Sequence, residues 1–424
     1  MKRLTSICAA LALTVGLLTG VQPLTQAEEE PAPAAILPDS DILSAKLAKI
    51  STKYLPKTSV AVLTTDGETV VNRNEQALIP ASTLKIFTAL AAIDVLGEDT
   101  RFTTSVVQES KSKIILVGGG DPQLRRTKST TKAKAAWLST LASRTATALK
   151  KAGIKKVALG YDASLFSGPG WSPSWGKEWH PDTPPVSALI DNGGMISSSK
   201  ASDYPAKRAA NHFAALLKKK GIKVTSVKSA AAGDAPVIAK VDSARLYELV
   251  KYMLRYSHNL TAEALVRHLG IAYYGAGHGS FTDGTAALQE WMVAHGLWKD
   301  GMVLDSGSGM SNKNRIYPEI LAKAVNLALA DTQYTAVRDG LPVAGVSGTL
   351  KKRFNDSSEK IGRKNVHAKT GTLRSAVTLA GWLTTKDGTV LTFAAMANDV
   401  NKHYTAGGNW VDRTAATIVG CGCR

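Results

Sequence analysis

Three short clusters in this 424-residue chain carry groups that could break an amide bond. Ser82-Thr83-Leu84-Lys85 sets a hydroxyl and an amine three residues apart, so both would lie on one face of a helix. A serine hydroxyl is a poor nucleophile until a base takes its proton, and a lysine is such a base only when neutral. Burial or a second nearby cation makes it so. Lys369, in Lys369-Thr370-Gly371, is a candidate for that cation, and Ser257-His258-Asn259 adds a second hydroxyl and a carboxamide. Each cluster alone is a weak signal. Ser110, Ser129, Ser174, Ser197 and Ser357 also stand three residues before a lysine, and the spacing by itself describes an N-capped helix with a solvated lysine.

The elements around Ser82 set it apart. Pro80-Ala81 precede it, Leu84, Phe87, Ala91 and Val95 recur at helical spacing, and Gly97 closes the pattern. Ser82 is therefore expected at a helix start, where free N–H groups favour developing negative charge. Upstream, residues 59–64 and 69–71 flank Asp66-Gly67, a hairpin signal. Residues 101–240 differ, with most of the lysine clusters, a short strand at 114–117 and a loop-rich run at 167–185. Helical patterning returns over 242–295. Strands are then expected at 366–372, 379–384 and 390–396, and a last helix at 409–419. No internal repeat is present. The pattern reads as a sheet built with helices from both ends of the chain and interrupted by an inserted domain.

The ordered trio of clusters is the signature shared by penicillin-binding proteins and class A β-lactamases. More of the chain agrees: Pro80-Ala81-Ser82-Thr83-Leu84-Lys85, Gly118-Gly119-Gly120-Asp121-Pro122, Pro185-Val186-Ser187-Ala188-Leu189 and Ser257-His258-Asn259-Leu260-Thr261-Ala262-Glu263. Ser308-Gly309-Met310-Ser311, Leu341-Pro342-Val343-Ala344-Gly345 and His367-Ala368-Lys369-Thr370-Gly371-Thr372-Leu373 follow in order. The chain resembles the low-molecular-mass class C penicillin-binding proteins, the serine D-alanyl-D-alanine carboxypeptidase/endopeptidase family. The resemblance implies an α/β (α+β) fold: a β-lactamase/transpeptidase-like domain, with an antiparallel sheet covered by helices plus an all-helical subdomain, and an inserted mixed α/β domain. Residues 28–100 and 241–424 would form the first and 101–240 the insertion, which looks shorter than is usual for the family. The block Asp305-Ser306-Gly307-Ser308-Gly309 carries one residue more than the common pattern.

The resemblance also implies roles. Ser82 would attack the carbonyl between two D-alanines, with Lys85 as general base. Ser257 would relay the proton to the leaving amine, bridging the two lysines, and Asn259 would hold the substrate amide and orient Lys85. Lys369 and Thr370 would bind the terminal carboxylate, on a strand where Gly371 and Thr372 complete the substrate-binding surface. The N–H groups of Ser82 and Thr372 would form an oxyanion hole, a contact worth roughly 3–4 kcal/mol per donor. No cofactor or metal is implied. The partners would be peptidoglycan stem peptides ending in D-Ala-D-Ala, with β-lactams as covalent inhibitors. A β-lactamase on the same fold is the nearest rival, but no Glu-x-x-Leu-Asn run lies between Asn259 and Asp305. A non-catalytic wall-binding or β-lactam-sensing module would be marked by a lost nucleophile or lysine, and both are present.

Composition removes other classes. A chain 44% hydrophobic and 20% charged is not disordered, and its 36 Gly and 16 Pro show no collagen period. Cys8, Cys421 and Cys423 are too few for a disulfide scaffold or a cysteine-built metal site. Cys421-Gly422-Cys423 leaves free thiols, a small strained ring and pairing with another molecule all open. The eight His form no helical metal pair. Gly118-Gly119-Gly120-Asp121 lacks the Gly-Lys-Ser/Thr of a phosphate loop and reads as a tight turn into the insertion. Ser308 reads as a turn near the cleft, since Ser306 stands where a nucleophile elbow needs glycine. For Glu263, one turn after Asn259, a structural and a catalytic role stay open. Lys2-Arg3, an apolar run at 7–18 and Thr25-Gln26-Ala27 read as a signal peptide over 1–27, with a retained anchor as the alternative, so the product is expected outside the cytoplasm. The formal charge is +18, and residues 108–160 hold twelve Lys/Arg against two Asp/Glu. No basic helix is interleaved with aromatics, so no nucleic-acid partner is expected. Anionic wall polymers or a membrane surface fit the basic insertion, with a merely solvated face as the plainer reading.

Overall fold

The computed structural model describes residues 37–128, 135–176, 179 and 183–422; the expected signal peptide lies outside them. The first half of the chain contributes α1 (Ser40–Ala48), β1 (Lys57–Thr64), β2 (Thr69–Arg73), α2 (Lys85–Leu96), β3 (Thr103–Ser110), β4 (Lys113–Val117), α3 (Leu138–Lys151) and β5 (Lys156–Asp162). The small strands β6 (Met195–Ser197) and β7 (Lys200–Ala201) precede α4 (Pro205–Lys219), β8 (Lys223–Ser229) and β9 (Val237–Asp242). Helices α5 (Leu246–Tyr256), α6 (Asn259–Tyr274), α7 (Phe281–Ala294), α8 (Pro318–Ala330) and α9 (Thr335–Gly340) follow. The chain closes with β10 (Val366–Leu373), β11 (Ala376–Thr384), β12 (Val390–Asn398) and α10 (Tyr404–Val419).

Two five-stranded sheets result. The first, in order β10-β11-β12-β1-β2, is antiparallel throughout and joins strands from both ends of the chain, Lys57 facing Asn398. Side chains alternate across a strand, and β12 shows what that does here. Phe393, Ala395 and Ala397 pack with Leu43 of α1 and Trp410 of α10, whereas Ala394 and Met396 enter a second core with α2, α5, α6, α7 and α8. Both faces are covered, so the strand is apolar without polar alternation.

The second sheet, β8-β5-β4-β3-β9, comes from residues 103–242 and mixes antiparallel pairs at β3 with parallel pairs among β4, β5 and β8. Helices α3 and α4 cover it. Leu138, Leu141, Ala142, Thr145, Ala146 and Leu149 form the buried stripe of α3, and Ala209, Ala210, Phe213 and Leu217 that of α4.

Sequence reading and structure part in two places here. The last helix starts at Tyr404, ahead of the expected Asn409, and the Gly407-Gly408 pair near its start hides the helical signal in the sequence. The turn at Gly118-Gly119-Gly120 does not lead into the second sheet but follows β4 inside it. Helix α1 opens at Ser40, and its N-cap Asp39 accepts from the Ile42 N–H at 2.8 Å. Cys421 is buried and disulfide-bonded, its partner lying outside the described residues. Among the described residues no helix is long and apolar enough to cross a membrane.

Candidate active site

Ser82 sits in a 3-10 turn, Ala81–Leu84, that runs directly into α2; the α-helix proper begins at Lys85. Ala81 adopts φ +46°, which no α-helix allows and which costs a non-glycine residue about 1–2 kcal/mol. The surroundings hold that conformation in place. Leu78 pairs with Ile316, and the Asn398 carboxamide accepts from Ile79 N at 2.7 Å and donates to Ile79 O at 3.2 Å. The Pro80 carbonyl accepts from Thr83 Oγ1 at 2.6 Å and from Thr378 Oγ1 at 2.7 Å. Two glycines let neighbouring backbone approach this turn. A Cβ on Gly309, at φ +82°, would lie 1.8 Å from the Ala81 carbonyl oxygen; one on Gly371 would lie 2.1 Å from Thr378 Oγ1.

Lys85 projects from the first residue of α2 into a fully buried position. Its Nζ donates to Ser82 Oγ at 2.8 Å, to Asn259 Oδ1 at 2.8 Å and to the Ser308 carbonyl at 2.6 Å. Burial pulls its pKa from the ordinary lysine value down to about 7, with the Glu263 carboxylate opposing. A neutral amine is therefore well populated near neutral pH, as a base for the Ser82 proton requires.

The second cluster occupies a corner between helices. Ser257 caps α5 in the left-handed region at φ 57°, and Asn259 opens α6. His258, between them, accepts from the Thr261 N–H with its Nδ1 at 3.3 Å, and burial lowers its pKa to about 4, so it caps α6 as a neutral ring. On β10, buried Lys369 donates to Ser257 Oγ at 2.9 Å and to the Thr370 carbonyl at 2.6 Å. Its pKa is pushed well below the usual range, first by burial and then by the charges of Lys85 and Arg353. Thr370 Oγ1 meets Thr349 Oγ1 at 2.8 Å, and Thr372 is exposed further along the strand.

All three motifs thus converge, in two hydrogen-bonded chains: Ser82–Lys85–Asn259 and Ser257–Lys369–Thr370. The expected bridge differs in one respect. The Ser257 hydroxyl contacts Lys369, while Lys85 turns to Asn259 and Ser308. Ser308 lies in a turn at the cleft, and what reaches Lys85 is its carbonyl. Glu263, buried and with its pKa raised by that burial, accepts from Ser308 N at 2.8 Å and Gly307 N at 3.4 Å, and so holds this carbonyl in place. Thr349, Thr378 and Asn398 went unmarked in the sequence because they act on backbone or on one another and carry no motif. Among the described residues no cluster of three His, Cys, Asp or Glu side chains could hold a metal ion.

A serine paired with a buried amine, at the junction of an antiparallel sheet and a helical lobe, defines a serine acyl-transfer site of the penicillin-binding class. The crystal structure of penicillin binding protein 4 (dacB) from Haemophilus influenzae matches with a TM-score of 0.72, covering 85% of this chain and 93% of that one; at 22% identity the likeness concerns the fold. A carboxypeptidase of Mycobacterium tuberculosis is 33% identical over 362 residues, 82% of this chain and 76% of the relative. Carboxypeptidase DacB of Mycolicibacterium smegmatis is 32% identical over 378 residues, 85% of this chain and 80% of the relative. The model of the D-Ala-D-Ala carboxypeptidase 3 (S13) family matches residues 43–203 and 196–416, and the chain belongs to that family.

Proposed function

We propose that this protein is a serine DD-peptidase that removes the terminal D-Ala from peptidoglycan stem peptides and also cuts D-Ala-containing cross-links, through an acyl-enzyme on Ser82. The observation that carries this reading is the Lys85 amine, 2.8 Å from Ser82 Oγ and poised near pH 7.

Neutral Lys85 takes the Ser82 proton as Oγ attacks the scissile carbonyl. The backbone N–H groups of Ser82 and Thr372 meet the oxyanion, and Asn259 orients both Lys85 and the substrate amide. Ser257 relays the proton from the Lys85 ammonium to the leaving D-Ala amine, for which its hydroxyl must turn from Lys369 towards Lys85. Lys369 and Thr370 receive the terminal carboxylate, and an anion beside Lys369 favours its protonated form, so binding and charge support each other. Water, deprotonated by Lys85, then attacks the ester and frees Ser82.

We further read residues 28–100 and 241–424 as one transpeptidase-like domain with 101–240 inserted, and place the work outside the cytoplasm. Anionic wall polymers or lipid headgroups would meet the basic insertion. One experiment tests these readings together: purified protein releases D-Ala from a D-Ala-D-Ala pentapeptide and sediments with wall fragments at low salt. In Ser82→Ala release falls to background, roughly 10⁴-fold, while sedimentation persists. Release retained in Ser82→Ala, or rapid steady turnover of penicillin by the unaltered protein, would contradict the proposal.

A further inference from the structure

Where α6 meets the residues between β5 and α4, a cavity of about 250 Å³ lies apart from Ser82. Arg267 lines it from α6, Tyr161 and Ser187 from the inserted segment, and Tyr204 and Lys207 from the start of α4. None of the residues bonded around Ser82 or Lys369 belongs to its wall, and Arg267 follows Asn259 by about 12 Å along the helix. Among the described residues no aspartate or glutamate lines it.

Arg267 is 1% exposed, and its guanidinium lies over the Phe281 ring, 3.9 Å from the ring centre. Its terminal nitrogens donate to the Ser167, Gly279 and Pro169 carbonyls, which fix the plane of the group without neutralising it. Nε is buried with no hydrogen-bond partner among the described residues. Burial brings the pKa down to about 10 against the pull of Glu263. That carboxylate is held by the Gly307 and Ser308 N–H groups, so the buried cation keeps a donor to spare. Buried donors without acceptors are rare in folded proteins and ask for an explanation.

Helix α4 brings a second source of positive potential to the same cavity. It opens at Pro205 with Tyr204 as N-cap, and no side chain bonds to its end. Its first N–H groups therefore have no intrahelical acceptor, and the dipole of a 15-residue helix sets its positive end there. The first turn holds no acidic residue and carries exposed Lys207, the sign the dipole disfavours. A helix end, a guanidinium and an ammonium around one small cavity match a tetrahedral oxyanion.

We propose that this cavity is a binding site for a phosphate group, free or carried as a phosphodiester by a wall polymer, with Arg267 as its buried anchor and Lys207 and the α4 N-terminus as its exposed side. The site stands independently of the DD-peptidase reading, because it shares no residue with the Ser82 cleft or with the Lys369 anchor.

The test titrates the whole protein calorimetrically, in chloride buffer at fixed ionic strength, with inorganic phosphate and separately with glycerophosphoglycerol. Saturable binding of either supports the site; inorganic phosphate alone marks the free ion, and the diester marks a polymer-borne group. Lys207→Glu, at an exposed position where a carboxylate suits the helix end, should keep the fold and weaken binding about tenfold or more. Arg267→Gln should abolish binding. Because Arg267 also holds three carbonyls, acylation by penicillin reads whether each variant is folded, and Lys207→Glu decides where Arg267→Gln is not. Binding of neither ligand, or binding unchanged in Lys207→Glu, overturns the proposal. Phosphate should leave the rate of acylation by penicillin unchanged. Slowing that excess penicillin relieves would put the ion beside Lys369 and overturn the proposal as well.

Discussion

Lys85 and Lys369 are both fully buried amines, and what surrounds each one separates their work. Lys85 donates to three acceptors, and burial brings its pKa down to about 7 against the opposing pull of the Glu263 carboxylate. Lys369 has Ser257 and one carbonyl, and burial, followed by the charges of Lys85 and Arg353, pushes it well below the usual lysine range. Because the base is neutral Lys85, kcat/KM should fall about tenfold per pH unit below roughly pH 7 and level off above it. Glu263 raises the Lys85 pKa, so Glu263→Gln should move that limb to lower pH; a limb that stays in place would remove Lys85 as the titrating base. The side chains of this site were legible because motifs are written in side chains. The Ser308 carbonyl was not, since any residue has one, and only the fold shows that Glu263 aims it at Lys85.

Secondary elements bring these residues within bonding distance through a few unusual backbone positions. The helical pattern ending at Gly97 was plain in the sequence, as were the hairpin around Asp66-Gly67 and the three strands after residue 365. The φ of +46° at Ala81 was not, because alanine gives no hint of a left-handed turn. Gly309 is the clearest test at this level. A methyl there meets the Ala81 carbonyl at 1.8 Å, on rigid backbone, so Gly309→Ala must shift the nucleophile turn. Acylation by penicillin should drop on the order of 10²-fold with helix content unchanged. Gly408→Ala, where a Cβ meets nothing within 4 Å, should leave acylation as it is. Equal behaviour of the two variants would show that the Ser82 turn does not depend on the 307–310 loop. Helices α3 and α4 escaped a sequence assignment because their buried stripes run through lysine- and alanine-rich stretches where charge dominates the pattern.

At the scale of the molecule, the chain makes two strands of the first sheet, leaves to build the second over residues 103–242, and returns with β10, β11 and β12. Ser82 precedes that excursion, while Ser257 and Lys369 follow it, so the site exists only when β1 has paired with β12 and α2 has packed on α6. An insertion between Ser82 and Ser257 was an expectation from the sequence; the pairing of β1 with β12 that closes the first sheet could emerge only from the folded chain. The central claim is that this closure makes one hydroxyl, that of Ser82, the nucleophile. Mass spectrometry of the protein after incubation with a labelled penicillin reads that directly. The account predicts a single adduct, on the peptide that carries Ser82, and none in Ser82→Ala. An adduct on another peptide, or one that persists in the variant, would contradict it.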